Sequence, residues 1–313
     1  MLLARRLEEK IAVIYRGGAI AGGVYLGRGQ EAVSGALGHA LQKGDIFAPL
    51  IRDQAGRVAF GEDPLDFART YLGSASGPMR GRDGNIHRGR PADGMPAMIS
   101  HLGAMIPVVC GMLLARRLQG RALGVGATCI GDGGTSTGAF HEGLNLAAVE
   151  KLPLVLVVAN NQFAYSTPNT RQFACTALED KAAGYGVGSF SCDGTDLGDC
   201  LETMTAAVAA ARAGGGPQLV VAHLLRLCGH GEHDDGAYIL PEQKASPLGR
   251  DCIEAARATA IAMGWASQAA LDAMDDDVEE IVRAAVATAQ QEAGPDPFTE
   301  NWQALSSVPD HGS

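Results

Sequence analysis

GVGATCIGDGGTSTGAFHEGLNLAAVEKLPLVLVVANNQFAYSTP, residues Gly124–Pro168, is the stretch whose reading decides how this chain folds. Val125–Ile130 is a short apolar run with β-branched members, closed by Gly131-Asp132-Gly133-Gly134, the pattern of a strand running into a turn. Gly138–Glu150 carries Phe140, Leu144, Ala147 and Ala148 at helical spacing, which predicts a helix lying with one apolar face on a sheet. Leu154–Ala159 (LVLVVA) is apolar at every position, as suits a central parallel strand buried on both faces, and Asn160-Asn161 ends it abruptly. The unit is strand–helix–strand. It predicts an α/β fold with a central, mostly parallel sheet flanked by helices.

Two parallel strands joined by a helix bring Asp132 and Asn161 to the same carboxyl edge of the sheet, where open α/β sheets bind ligands. Gly-Asp-Gly alone is a common turn, and Asn-Asn alone a common strand end. On adjacent parallel strands, a carboxylate and an amide oxygen beside glycines suit a hard cation that holds a diphosphate. Magnesium takes a few protein oxygens and completes its shell with phosphate and water.

Gly131-Asp132-Gly133 followed by Asn160-Asn161 resembles the thiamine-diphosphate signature. From Arg5-Arg6 to about Pro297 the chain is similar to the alpha subunit of the first, decarboxylating component of 2-oxo acid dehydrogenase complexes of the pyruvate, branched-chain and acetoin types. The resemblance implies a thiamine-diphosphate-binding fold with N- and C-terminal helical extensions. It also implies magnesium held by Asp132, Asn161 and the backbone carbonyl of Phe163. Arg52, Arg226, Gly131, Gly133 and Gly134 would lie along the diphosphate, and Ser100 and Leu102 against the aminopyrimidine and thiazolium rings. His230 would serve the reacting carbon as the catalytic histidine, its ordinary pKa lying near working pH.

Composition sets outer bounds. The chain has 313 residues, 46% of them hydrophobic, enough for a sizeable core in one domain spanning 1–313. Its 42 glycines exceed the usual share of about 7% nearly twofold, implying tight turns and close backbone approaches. A net charge of −10 argues against nucleic acid or an anionic membrane as partner. Seven cysteines with no Cys-x-x-Cys pair read as free thiols, several of them in apolar runs. No signal pattern or apolar run of about 18 residues is present, so a cytoplasmic protein is expected.

Along the chain, Leu2–Tyr15 reads as an amphipathic helix, with Leu3, Leu7, Ile11 and Ile14 inward and Arg5, Arg6, Glu8 and Glu9 outward. Gln30-Glu31-Ala32 opens a helix through Leu41, and Asp45–Gln54 is a strand or turn carrying Arg52. Gly73–Pro96 is a long loop with Arg80, Arg82, Arg88 and Arg90, read by default as solvated, with an anion-attracting entrance as the functional alternative; Gly84-Asn85-Ile86-His87 stands where the family has a Gly-Ser-Met-His-like segment. Pro107–Leu118 is an apolar helix, Gln172–Gly188 a loop with a short helix, and Asp193-Gly194-Thr195-Asp196 a turn capping helix Leu197–Ala213. Gln218–His223 is a further buried strand, and Leu224–Tyr238 the loop that carries Arg226 and His230. Pro247–Met263 and Ala269–Glu292 read as helices, with Asp275–Glu280 a solvated acidic face and the last dozen residues a poorly ordered tail.

Four positions depart from the family's pattern: Ile51 replaces a tyrosine, Gly231 and His233 replace serines, and Ile239 an arginine. Phosphorylation control of the loop is therefore not expected. His230-x-x-His233 with Asp234 lacks the further ligand a zinc site needs. The glutamate that activates the aminopyrimidine comes, in the family, from a beta chain. An alpha–beta heterotetramer, inactive as alpha alone, is expected, with a lipoyl acyltransferase as a further partner and a 2-oxo acid as substrate. A thiamine-dependent decarboxylase or carboligase outside any large complex is the alternative, and a catalytically silent scaffold subunit a third class. A dinucleotide-binding oxidoreductase fits poorly, because Gly124-x-Gly126 before Gly131 is wrongly spaced and no ribose-binding acid follows.

Overall fold

The computed structural model describes residues 1–300; the expected tail falls, from residue 301, outside the described residues. Five strands form one parallel sheet: β1 (Ile46–Ala48), β2 (Gly126–Gly131), β3 (Leu154–Asn160), β6 (Gly188–Asp193) and β7 (Gln218–His223), in the order β1-β2-β3-β7-β6. A two-stranded antiparallel hairpin, β4 (Phe163–Ala164) with β5 (Thr167–Pro168), follows β3.

β3 is central and buried at all seven positions. Because side chains alternate across a strand, Val155, Val157 and Ala159 enter one core layer while Leu154, Leu156 and Val158 enter the other. Helices Glu31–Ala40 and Leu197–Arg212 cover the first face. Met105–Leu118 and Gly138–Val149 cover the second, the latter burying Phe140, Leu144 and Ala147 as its spacing predicts. Each fully buried aliphatic side chain contributes roughly 1.5–3 kcal/mol, so this double-faced burial fixes the register of β3 and thereby the place of Asn160-Asn161. The helix after β2 is entered through Thr137, whose side chain accepts from the Phe140 N–H. Asp196 caps Leu197–Arg212 in the same way, as expected.

One strand was not foreseen and one expectation changes. Gly188–Asp193, between the expected loop and turn, is an edge strand: its alternating, half-exposed Gly-Ser-Phe-Ser-Cys-Asp carries little apolar signal. In helix Leu2–Arg16, Arg5 and Glu8 are buried, although hydropathy places them outward. The helix is covered on that side as well. Arg5 pairs with Glu31 and Asp251, the latter at 2.8 and 3.1 Å, and the Glu8 carboxyl accepts the Gly27 N–H at 2.8 Å. Desolvation, joined by the Glu31 charge, holds the Glu8 carboxyl well above its ordinary range.

The N-terminal helix, helix Pro64–Tyr71 and the C-terminal helix Gln268–Gln291 share a third apolar layer. Along the acidic run, Asp276, Asp277, Glu279 and Glu280 are solvated, whereas Asp275 pairs with Arg257 and Arg6. No helix among the described residues is long and apolar enough to cross a membrane.

Candidate cofactor site

The carboxyl ends of β2, β3 and β7 converge as the strand–helix–strand reading requires. Gly131 pairs with Ala159 and Asn160 with His223, so Asp132, Asn161 and Arg226 all leave the sheet at one edge. Asp132 begins a short 3₁₀ turn, Asp132–Ser136, and is 1% exposed. It makes no ion pair among the described residues; Oδ2 accepts from Gln172 Nε2 at 3.1 Å. Burial pushes its pKa up to about 6, against the lowering pull of the Gln172 amide, nearby backbone N–H groups and the Arg226 charge. A desolvated carboxylate without a cation is the donor a metal ion would stabilise.

Asn161 is held from behind: its Nδ2 donates to Gln30 Oε1 at 2.6 Å, which turns Oδ1 toward the Phe163 N–H at 3.4 Å. Gln30 is the cap residue of helix Glu31–Ala40, giving the Gly-Gln-Glu-Ala stretch a job that sequence reading left open. The Phe163 carbonyl accepts from Arg226 Nη1 at 3.2 Å, and its second lone pair leaves capacity for another partner.

Five arginines are buried among the described residues, and three of them face carboxylates: Arg5, Arg57 and Arg88. Arg52 and Arg226 do not. Arg226 donates to the carbonyls of Cys228 at 3.0 Å, Phe163 at 3.2 Å and Tyr165 at 2.7 Å, and to the Tyr238 hydroxyl. Arg52 donates to Leu26 O at 2.7 Å and His230 O at 2.6 Å, its Nη2 lying 3.4 Å from His230 Nδ1. Two buried guanidiniums without counter-ions, beside a buried carboxylate without a cation, fit an incoming anion–cation pair such as a metal-bound diphosphate.

His230 sits between two rings, Tyr165 at 4.6 Å and Tyr25 at 5.4 Å between centroids. Burial and the charges of Arg52, Arg226 and His233 lower its pKa to about 4, with Asp234 opposing, so the ring is neutral near pH 7. Asp234 orders the loop. It accepts from the N–H of His230 at 2.6 Å, the N–H of Gly236 at 3.0 Å and the Tyr238 hydroxyl at 2.7 Å. These bonds and the Arg226 charge outweigh burial and take its pKa down to about 2. Among the described residues no group of three His, Cys, Asp or Glu side chains is arranged to bind a metal.

The glycines divide. A Cβ on Gly133 would lie 2.4 Å from Ala164 Cβ, and one on Gly134 2.3 Å from Ile130 Cγ1, so the fold itself demands glycine at both. A Cβ on Gly131 would meet nothing within 4 Å, leaving that position open to a ligand. Gly126 is a packing glycine at the opposite end of β2, where a Cβ would strike Val109 Cγ1 at 2.4 Å, so the dinucleotide reading has no phosphate-facing glycine pair.

Ser100 and Leu102 lie on the segment leading to helix Met105–Leu118. Gly103 sits against Thr137 and the Phe140 N–H, which brings the segment to the start of helix Gly138–Val149. Leu102 is 58% exposed and therefore no core leucine. His87 bridges Ser100 Oγ and Asp83, the latter at 2.8 Å. The arginine-lined entrance is corrected. Arg88 is buried on Glu62 at 2.8 Å, Arg90 pairs with Asp66, and Arg82 and Arg80 pair with Glu300 at 2.7 and 3.8 Å. Among the described residues each of the four guanidiniums thus has an acidic neighbour, although Arg80 Nε and Nη2 make no hydrogen bond.

A family model described as dehydrogenase E1 component matches residues 1–298. The chain belongs to that family. It is 33% identical over 302 residues, 96% of its length and 90% of the relative's, to the alpha subunit of acetoin:2,6-dichlorophenolindophenol oxidoreductase from Cupriavidus necator. The Bacillus subtilis protein of the same name is 32% identical over 79% of this chain and 74% of its own. Pyruvate dehydrogenase E1 component subunit alpha of Rickettsia conorii is 29% identical over 95% and 90%. The protein is thus a thiamine-diphosphate-dependent oxidoreductase subunit of the E1 type, as the motif at Gly131 and Asn161 implied.

Tyr25, Tyr165, Gln172 and Tyr238 line the candidate site without having been singled out in the sequence, and Gln30 and Asp234 were named there without these contacts. A tyrosine or glutamine in a turn carries no periodic signal; only the paired acid and tyrosine after His230 gave a hint.

Proposed function

We propose that this E1 alpha chain works with a beta subunit in a heterotetramer, holds thiamine diphosphate through magnesium, and passes the acyl group from a 2-oxo acid or acetoin-type substrate to a lipoyl carrier. One observation carries the reading: among the described residues the buried Arg52 and Arg226 guanidiniums make no salt bridge and adjoin His230, and the Arg226 charge reaches the buried Asp132 carboxylate, which makes none either. Asp132, Asn161 and the Phe163 carbonyl would hold the metal. Arg52, Arg226 and the open face at Gly131 would hold the diphosphate, with Ser100 and exposed Leu102 beside the rings.

When bound, the cofactor supplies the carbon nucleophile and the electron sink. The chain places it and keeps water from the diphosphate. His230, neutral because Arg52 adjoins it in a half-buried loop, presents a ring nitrogen that takes or returns a proton at the substrate oxygen. The seven free cysteines accord with a reducing, cytoplasmic setting.

Three of the departures keep a free-standing decarboxylase open as the alternative: Ile51, which joins the third apolar layer, Ile239, which packs with Phe163 and Leu225, and Gly231, where a Cβ would meet His233 Cε1 at 2.7 Å. Co-expression with a candidate beta chain, followed by dye reduction with a panel of 2-oxo acids and acetoin, tests the proposal. Turnover that requires both chains, thiamine diphosphate and magnesium is expected. Equal turnover by the isolated chain, or none by the pair on any of these substrates, refutes it.

A further inference from the structure

Gln172 sits directly after the 3₁₀ turn Asn169–Arg171 that follows β5, and its backbone is pinned twice. Its N–H donates to Asn169 O at 3.0 Å, and Ser136 Oγ donates to its carbonyl at 2.7 Å, tying it to the turn that begins at Asp132. The side-chain nitrogen is also committed. Nε2 donates to Asp132 Oδ2 at 3.1 Å and to Thr167 O at 2.8 Å. Both acceptors lack a hydrogen to give, so the amide has one admissible orientation. Oε1 is then buried without a partner among the described residues, 3.6 Å from where a Cβ on Gly133 would stand.

A buried amide oxygen with no donor is rare enough to need a reason. This one faces the Gly131–Gly134 turn. A diphosphate brings only acceptor oxygens, so it cannot satisfy Oε1. A hydrated cation can, because magnesium keeps several waters when it binds a diphosphate. We propose that Gln172 is a positioning residue of the metal site: Nε2 fixes the Asp132 carboxylate, and Oε1 accepts a hydrogen bond from a metal-bound water. The role rests on the reading of Asp132 as a metal ligand. Neighbours that orient metal ligands typically govern affinity by about 10–100-fold.

The test uses the alpha–beta assembly with thiamine diphosphate present and Mn²⁺ as the probe, titrated by water-proton relaxation. Gln172→Met keeps the length of the side chain and removes both polar atoms. It is expected to raise the half-saturating Mn²⁺ about tenfold or more, with the metal-free melting temperature close to that of the wild type. An unchanged half-saturation refutes the inference. Should the Met variant fail to assemble, Gln172→Glu serves. Its carboxylate repels Asp132 until a cation arrives, so metal should raise its melting temperature by more than in the wild type; an equal increment refutes the inference. If the wild type binds no Mn²⁺ at all, the metal reading itself fails, which is a different outcome from either.

Discussion

Adding one methyl to Gly133 tests whether the turn after β2 is built by the fold or by its ligand. The added Cβ would lie 2.4 Å from Ala164 Cβ, while the next atoms, Ala164 Cα at 3.5 Å and Gln172 Oε1 at 3.6 Å, are at ordinary contact. Relief therefore requires one methyl to move by about 1 Å, against a hairpin held by Arg226 through Phe163 O and Tyr165 O. Overpacking of this kind costs about 1–3 kcal/mol. Gly133 is not among the positive-φ glycines, so alanine brings no backbone strain. Taking about 2 kcal/mol, Gly133→Ala should lower the melting temperature of the alpha–beta assembly by roughly 4 °C. Ala164→Gly alone should cost about 0.5–1 kcal/mol through chain entropy. The double variant removes the clash. It should sit close to Ala164→Gly, giving a coupling of about 2 kcal/mol between the sites. The assay is denaturant or thermal unfolding of all four members of the cycle. Additive losses would show that Ala164 is not what excludes a side chain at Gly133, and the account of this turn would fall.

Other consequences can be measured in the same assembly. Arg226→Met strands three carbonyls in a buried place and should destabilise by about 3 kcal/mol, while weakening thiamine diphosphate binding at least about tenfold; a cofactor titration beside a melt checks both. His230, with a pKa near 4, should contribute no inflection to kcat/KM between pH 5 and 7. After desolvation the Arg52 charge is the largest lowering influence, so Arg52→Met should move the inflection upward, toward the ordinary value near 6.5. Arg88→Met leaves the Glu62 carboxylate, now held down to about 2, without one of its two guanidiniums and should cost about 3–5 kcal/mol. Limited proteolysis should then cut within residues 73–96, whereas Arg82→Gln should leave the half-saturating substrate concentration as it was.

Legibility in the sequence followed how local the physics is. The strand–helix–strand unit could be read because β3 is apolar at every position and the helix after it carries a 3.6-residue stripe. β6 escaped because an edge strand exposed on alternate residues needs no apolar run. Arg5 and Glu8 were misplaced because hydropathy does not register partners 19 or more residues away, such as Glu31 and Gly27. For the arginines of the 73–96 loop the same blindness turned internal ion pairs into an apparent anion entrance.

What the linear order of residues settled is where the chemistry lies. A strand that can only be central, ended by Asn160-Asn161, and another ended by Gly131-Asp132 must deliver their polar ends to one edge, because parallel strands share a direction. Which groups there are satisfied, and which still lack a partner, was left to the tertiary fold. Among the described residues Arg52 and Arg226 make no salt bridge and Gln172 Oε1 has no donor, because chain segments far apart in sequence bury them together. Desolvation depends on everything packed around an atom, and no window of sequence contains that.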